Sequence, residues 1–271
     1  MHDDVLAPGA AKLTLSIVSH GHGKLVERLI GDLAMMPTIR NARIVITLNI
    51  PEAFSGVECW SGLDILVQRN AMPRGFGANH NAAFRHCCTP WFAVLNPDLR
   101  LPADPFPALV SAASRRPGCG VVAPVILDPS GRLEDSLRQN LTPWSLLKRA
   151  AQRMVGQRRL SGVDPAADSN GFVWAAGMFL LFPAAAYRSI GGFDERFYLY
   201  CEDYDICARL RRAGLDVLLA PEGSAVHDAR RESQRSLKHL RWHLTSLSKV
   251  WTSSAFWWVC LRGHSPRAPM G

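Results

Sequence analysis

The sequence has no C-x-x-C pair. Its cysteines stand at 59, 87, 88, 119, 201, 207 and 260, an odd set whose spacing suits neither a disulfide framework nor a four-thiolate zinc site. A reducing cytoplasm is the setting this implies. No apolar run reaches the ~20 residues that span a bilayer. The opening stretch, Met1 to Lys12, carries Asp3 and Asp4 and lacks the basic region and apolar block of a secretory leader. The expectation is therefore a chain neither exported nor integral to a membrane. Internal repeats and low-complexity tracts are also missing. Apolar residues make up 48% of the 271, which excludes a disordered chain and implies one domain with an extension.

Net charge is small over most of the chain, and most of the positive excess lies at its end. From Asp228 to Gly271 there are eight basic and two acidic side chains, so six of the net +8 charges lie there. Such an end can meet nucleic acid, anionic lipid or a phosphorylated ligand, and composition does not choose among them.

Leu13–Ser19 alternates as a strand, Leu25–Met35 has helical spacing, and Ala42–Leu48 is rich in β-formers. Leu63–Val67 is a second short strand, Phe76–Cys87 a helix entered through glycines, and Trp91–Leu95 an apolar run of buried-strand length. This alternation implies an α/β fold with a mostly parallel sheet, whose ligands bind at the carboxyl ends of the strands. Cys119–Val125 and Met178–Phe182 read as further strands. Between them Arg138–Arg159, with six basic and no acidic residues, reads as a helix or an acceptor-side loop. From Ser233 onward Leu237, Leu240, Leu244, Leu247 and Trp251 line one face of a long helix that ends in Ala255–Leu261.

Three places carry chemistry. Trp91–Leu95 ends in Asn96-Pro97-Asp98, where Pro97 stops the ladder and frees Asp98 for the crevice; the same residues also make a good turn. Glu202, Asp203 and Asp205 open a helix that is basic near its end and stops at Gly214. Dipole matching of ~0.3–1 kcal/mol per charge explains this for a solvated helix. It does not explain the aromatic run Phe197-Tyr-Leu-Tyr200 before the acids, which suits a water-poor cleft around a general base. His227, after the strand Ser224–Val226, can join an oxygen-rich divalent site, and Mg2+ or Mn2+ is what a departing diphosphate needs. Gly75-Phe-Gly-Ala-Asn-His80 has G-x-G but not G-x-G-x-x-G, so it is a weak dinucleotide signal. Its glycines still allow close backbone approach to a nucleotide or sugar, and Asn79 and Asn81 can hydrogen-bond hydroxyls.

Taken together these residues resemble the family 2 glycosyltransferases of the GT-A fold, most closely their bacterial rhamnosyltransferase-like branch, from Leu13 to about Trp251. Asn96-Pro97-Asp98 is similar to that branch's D-x-D motif, and Gly75-Phe-Gly-Ala with Asn81 to its donor segment. Gly191-Gly-Phe-Asp-Glu-Arg-Phe197, Tyr200-x-Glu-Asp-x-Asp205 and Arg209–Gly214 are the most specific match.

The resemblance implies an inverting transfer of a sugar, rhamnose above all, from a nucleotide-diphosphate donor (dTDP-rhamnose) to a hydroxyl of a glycan or polyprenyl-linked acceptor in surface polysaccharide synthesis. Asp203 would be the base, supported by Glu202. Asp98 and His227 would hold Mg2+ or Mn2+. Ser19, His20, Asn70, Gly75, Gly77, Asn81, Asn96 and Asp98 would line the donor site, and Trp174, Gly177 and Asp205 the acceptor side. Residues 1–232 would form the GT-A domain, with a nucleotide-sugar half to about 100 and an acceptor half after it. Residues 233–271 would form a basic amphipathic helix and tail that packs on the domain, on a second subunit as a homodimer, or on the inner membrane face.

Two segments depart from the family pattern. Leu48-Asn-Ile-Pro-Glu-Ala-Phe54 replaces Asp-Asn-x-Ser, and Ser19-His20-Gly21-His22 replaces Thr-Tyr-Asn, so that His20 would stack on the base. A nucleotidyltransferase would need a better Gly-rich loop near the N-terminus than Ser19–Lys24. An inactive scaffold would be expected to lack Asp98 or Asp203. Nucleic-acid binding is disfavoured because the aromatics sit in one apolar block instead of alternating with basic residues.

Overall fold

The computed structural model describes residues 12–54, 60–134, 136–147, 173–228 and 237–262. The N-terminal half supplies β1 (Leu13–Ser19), α1 (Gly23–Ala34), β2 (Arg43–Leu48), β3 (Asp64–Arg69), α2 (Phe76–Phe84) and β4 (Trp91–Leu95). These four strands pair in parallel. Next come β5 (Leu99–Arg100), α3 (Phe106–Ser114), β6 (Cys119–Leu127), β7 (Leu137–Gln139), β8 (Val173–Ala175), β9 (Phe179–Pro183), α4 (Ala184–Ser189), α5 (Glu202–Arg212) and β10 (Asp216–His227). Two helices follow, α6 (Leu237–Thr252) and α7 (Ser254–Arg262).

One eight-stranded sheet joins both halves in the order β3-β2-β1-β4-β9-β6-β10-β5, and β7 and β8 form a separate antiparallel pair. β9 runs antiparallel between β4 and β6, with Leu95 opposite Phe179 and Val122 opposite Leu181. The sheet is covered on both faces, which is why β4 reads as an unbroken apolar run. Along β4, Ala93 and Leu95 join the layer under α1 and α3, while Phe92 and Val94 join the layer under α4 and α5.

Three expectations change. Of Arg138–Arg159, read as helix or loop, Arg138 and Gln139 belong to β7, 143–147 are helical in line with the first alternative, and 148–159 lie outside the described residues. The strand expected at Ser224–Val226 is the end of the longer β10, whose register shifts between Ala220 and Ser224. The long C-terminal helix is two helices: Ser253 accepts the Phe256 N–H at 3.1 Å and caps α7. The expected apolar stripe splits accordingly. Leu247 and Val250 are buried against the domain, the Trp251 indole donates to Leu141 O, and Leu240 and Leu244 are exposed. Phe256, in the apolar block that ends this segment, is buried 6.4 Å from the Tyr204 ring. Among the described residues no helix is long and apolar enough to cross a membrane.

Candidate active site

β4 ends at the carboxyl edge of the sheet, and the chain turns there through Asn96-Pro97-Asp98 into β5. The antiparallel β5–β10 pair sets His227 opposite Leu99, and the Asp228 N–H donates to Asp98 O at 3.0 Å. This register brings His227 Nε2 to 3.2 Å from Asp98 Oδ2. The other ring nitrogen, Nδ1, lies 2.8 Å from Glu134 Oε2. Burial works against a charge on this ring, but its bonds to Asp98 and Glu134 outweigh burial and raise the pKa. Asp98 Oδ1 is buried without a partner.

An imidazole nitrogen beside a carboxylate with a spare buried oxygen fits a cation of the Mg2+ or Mn2+ type, which takes one or two protein groups plus phosphate oxygens. Glu134 sits on the far nitrogen, where it fixes the ring as carboxylate partners of metal-binding histidines do. Among the described residues no three His, Cys, Asp or Glu side chains form a cation cage.

The side expected to take the donor is tied together by amides. Asn49 Oδ1 accepts from Arg74 N and Asn70 Nδ2, Asn49 Nδ2 reaches His20 Nδ1 at 3.2 Å, and Asn70 Nδ2 also donates to Asn79 Oδ1. His20 is exposed at the end of β1, and Ser19 Oγ accepts from His22 N as the chain enters α1. Glu52 binds the Gly21 and Gly23 N–H groups, so the divergent Leu48–Phe54 segment closes over the start of α1.

Two donor candidates turn out to be committed within the protein. Asn81 Oδ1 accepts from Tyr187 OH and Phe193 N, and its Nδ2 donates to Phe193 O and Glu195. Gly77 is small because a Cβ there would strike Phe193, so it serves helix packing instead of ligand approach. The Gly-Gly-Phe turn is locked against the same amide, with Gly192 at φ +70° and no room for a Cβ beside Asn81 and Tyr187. His80 is buried and neutral, with burial lowering its pKa to about 3, and Nδ1 bonded to Ser16 Oγ at 2.7 Å.

The acids arrive through a turn in which Tyr200 (φ 73°) and Cys201 (φ 63°) are both left-handed. Asp203 is partly exposed; its Oδ2 accepts from Gly177 N at 3.0 Å and its Oδ1 from Tyr204 N at 2.9 Å. Asn96 N donates to Met178 O at 2.9 Å. Asp203 and the Asn-Pro-Asp edge are therefore bonded to adjacent residues of one strand entry. Burial raises the Asp203 pKa against the pull of Arg138 and the two N–H groups. Glu202 is buried with Oε2 unpartnered, and burial and the Asp203 charge push it up to about 8.

Asp205, expected on the acceptor side, is bound instead to Arg209 at 2.7 Å, and Arg209 in turn holds Ile190 O and Gly192 O. Trp174 is buried, its indole donating to Gln139 O, with Tyr204 edge-on at 5.8 Å and Arg138 over its face at 5.3 Å. Glu134, Arg138 and Asn49 were missed in the sequence because each acts through a cross-strand or loop contact that no local spacing marks.

Solved structures share this mixed α/β sheet with helices on both faces. The mannosyltransferase PcManGT of Pyrobaculum calidifontis, in complex with GDP-Man and Mn2+, superposes with a TM-score of 0.58 at 15% identity, over 88% of this chain and 64% of that one. GalNAc-T7 with UDP, GalNAc and Mn2+ gives 0.63 at 16%, over 90% and 49%. The fold is thus GT-A. The chain matches Glycosyltransferase like family 2 over residues 57–245 and belongs to that family. It is 32% identical over 164 residues to the N-acetylglucosaminyl-diphospho-decaprenol L-rhamnosyltransferase of Mycobacterium tuberculosis, covering 56% of this chain and 52% of that protein. It therefore spans about half the length of that relative. It is 26% identical over 242 residues to the Rhamnosyltransferase WbbL of Escherichia coli K12, covering 85% and 89%.

Proposed function

We propose that this glycosyltransferase moves rhamnose, with inversion, from dTDP-rhamnose to a sugar hydroxyl of a polyprenyl-diphosphate-linked glycan. The single observation that carries the chemistry is the pair of bonds Asp203–Gly177 and Asn96–Met178, which brings a carboxylate with a raised pKa to the strand edge that ends in Asp98. Asp203 takes the proton from the acceptor hydroxyl, and Gly177 and Tyr204 N–H groups hold its carboxylate for that transfer. Asp98 and His227 would hold a divalent cation, which would neutralise the charge of the departing diphosphate. Glu134 keeps His227 turned toward Asp98. His20, exposed and anchored to Asn49, offers a ring face to the base. The donor and acceptor classes are supported by the rhamnosyltransferase relatives, one of them named for a diphospho-decaprenol acceptor.

The C-terminal helices would rest on the membrane that carries such an acceptor. Leu240 and Leu244 are 53% and 58% exposed, and Trp257 and Leu261 are 56% and 78% exposed, in a C-terminal part with a net positive charge. Indoles and basic side chains of this kind favour an anionic headgroup boundary.

The test is release of dTDP from dTDP-rhamnose by the purified protein with Mn2+ and polyprenyl-diphosphate-linked N-acetylglucosamine, compared with UDP- and GDP-sugars. Turnover confined to another donor would overturn the rhamnose assignment.

A further inference from the structure

We infer that α6 is a clamp on the turn that delivers the acids, with Ser246 and the Tyr200–His239 pair as its positioning residues. Tyr200 and Cys201 are consecutive non-glycine residues with left-handed backbone. L side chains disfavour that region, and the conformation persists only where the surroundings over-determine it. Cys201 gives α5 no side-chain cap, so the conformation must be held from outside the turn.

The restraint comes from one face of α6. Ser246, 2% exposed, donates its hydroxyl to Leu199 O at 2.9 Å. Tyr200 OH and His239 Nδ1 are 2.8 Å apart, and the Tyr200 ring meets His243 edge-on at 5.2 Å. Tyr198 packs on Trp242 at 4.8 Å, and Lys249 Nζ donates to Arg196 O. Residues 239, 242, 243, 246 and 249 recur at three and four, so one helical stripe reads successive residues of the 196–200 segment. On the opposite side Tyr198 O accepts the Phe76 N–H at 2.9 Å, which ties the segment to the first residue of α2. Attachment of α6 to the domain is a separate matter, carried by buried Leu247 and Val250. Removing the Ser246 hydroxyl therefore loosens the turn without releasing the helix.

This inference rests on Asp203 being the base, and the experiment separates the two. Ser246→Ala and Tyr200→Phe are made in the full chain. Hydrogen exchange of the 201–205 amides and turnover of dTDP-rhamnose are then measured beside donor affinity and Tm. Exchange of these amides should rise and kcat fall, each about tenfold, with donor affinity unchanged and Tm near that of the parent. Cys201→Gly added to Ser246→Ala should recover most of both losses, because glycine takes a left-handed φ without steric cost. A purely structural hydroxyl would not be rescued at another residue. Unchanged exchange in both single variants, or no recovery with glycine, would overturn the clamp even if Asp203→Asn is inactive. Full turnover in Asp203→Asn would overturn the base assignment while the exchange data still decide the clamp.

Discussion

Asp98 Oδ2 and His227 Nε2 lie 3.2 Å apart because the antiparallel β5–β10 pair closes the sheet edge just beyond the Asn-Pro-Asp turn. A cation placed here would meet two side chains of different elements, and its remaining ligands would be phosphate oxygens and water.

Glu134→Gln should keep the fold and weaken Mn2+ binding. A carboxylate behind a metal-binding histidine contributes about 10–100-fold in affinity. Mn2+ titration followed by electron paramagnetic resonance, with dTDP present, checks this, and Asp98→Asn should lose more than Glu134→Gln. Equal Mn2+ affinity in Glu134→Gln and the parent would remove Glu134 from the site.

Asp203→Asn should lower kcat by about 10²–10⁴-fold and leave donor affinity nearly intact, since a base acts on the acceptor proton and not on the nucleotide. Glu202→Gln should cost less. If Glu202→Gln proves the more damaging change, the two roles must be exchanged.

Much of this arrangement was legible in the sequence, and the reason is local. β1 announces itself by alternation of apolar and polar residues, and β4 with the Asn-Pro-Asp turn because a strand buried on both faces reads as an unbroken apolar run that proline ends. The acidic start of α5 is likewise a local pattern. Hidden from the sequence were the partners that only pairing supplies. Arg138 meets Trp174 through the β7–β8 register, and Glu134 meets His227 across the sheet edge. Asn81 and Gly77 looked like ligand contacts because the same small and amide residues also serve close packing, here against Phe193. The C-terminal stripe was half right for a similar reason: helical spacing groups Leu240 with Leu247 but does not say where the supporting domain ends.

Arg138 should govern the acid limb of the rate profile. Asp203 is faced by Arg138 from β7, by His243 from α6, by Cys201 and Glu202 beside it and by Cys207 one turn on. Burial raises its pKa and Arg138 opposes that rise. The base works only when ionised, so kcat should climb with pH through the raised pKa of Asp203. Arg138→Met should move that climb to higher pH and Arg138→Lys should restore it. A limb that stays in place in Arg138→Met would show that the guanidinium does not act on the base.

Leu240→Ser with Leu244→Ser should reduce co-sedimentation with anionic phosphatidylglycerol vesicles at low salt, since both side chains are more than half exposed. A truncation before Ser254 would remove Trp257 and Leu261 but also the buried Phe256, so the double serine variant is the cleaner probe. Binding that is equal in parent and variant, or absent from both, would remove the membrane role.

Glu202 carries a cost in stability that its substitution should reveal. An acid whose pKa rises on folding, here from 4.5 to about 8, holds its proton more tightly in the folded state. Its stabilising effect is full below pH 4.5 and is lost as pH rises through about 8. Over that window the folded protein binds more protons than the unfolded one, so stability falls with pH. Glu202→Gln keeps the shape without the titration. The variant should match the parent at pH 4 and be more stable at pH 8 and above, by on the order of 2 kcal/mol, less than the full shift because the buried pair relaxes. Urea unfolding of both proteins across this range reads the difference directly. A variant less stable than the parent at every pH would mean that Glu202 is held by bonds its burial does not suggest, and that its charge is supported where Asp203 needs it.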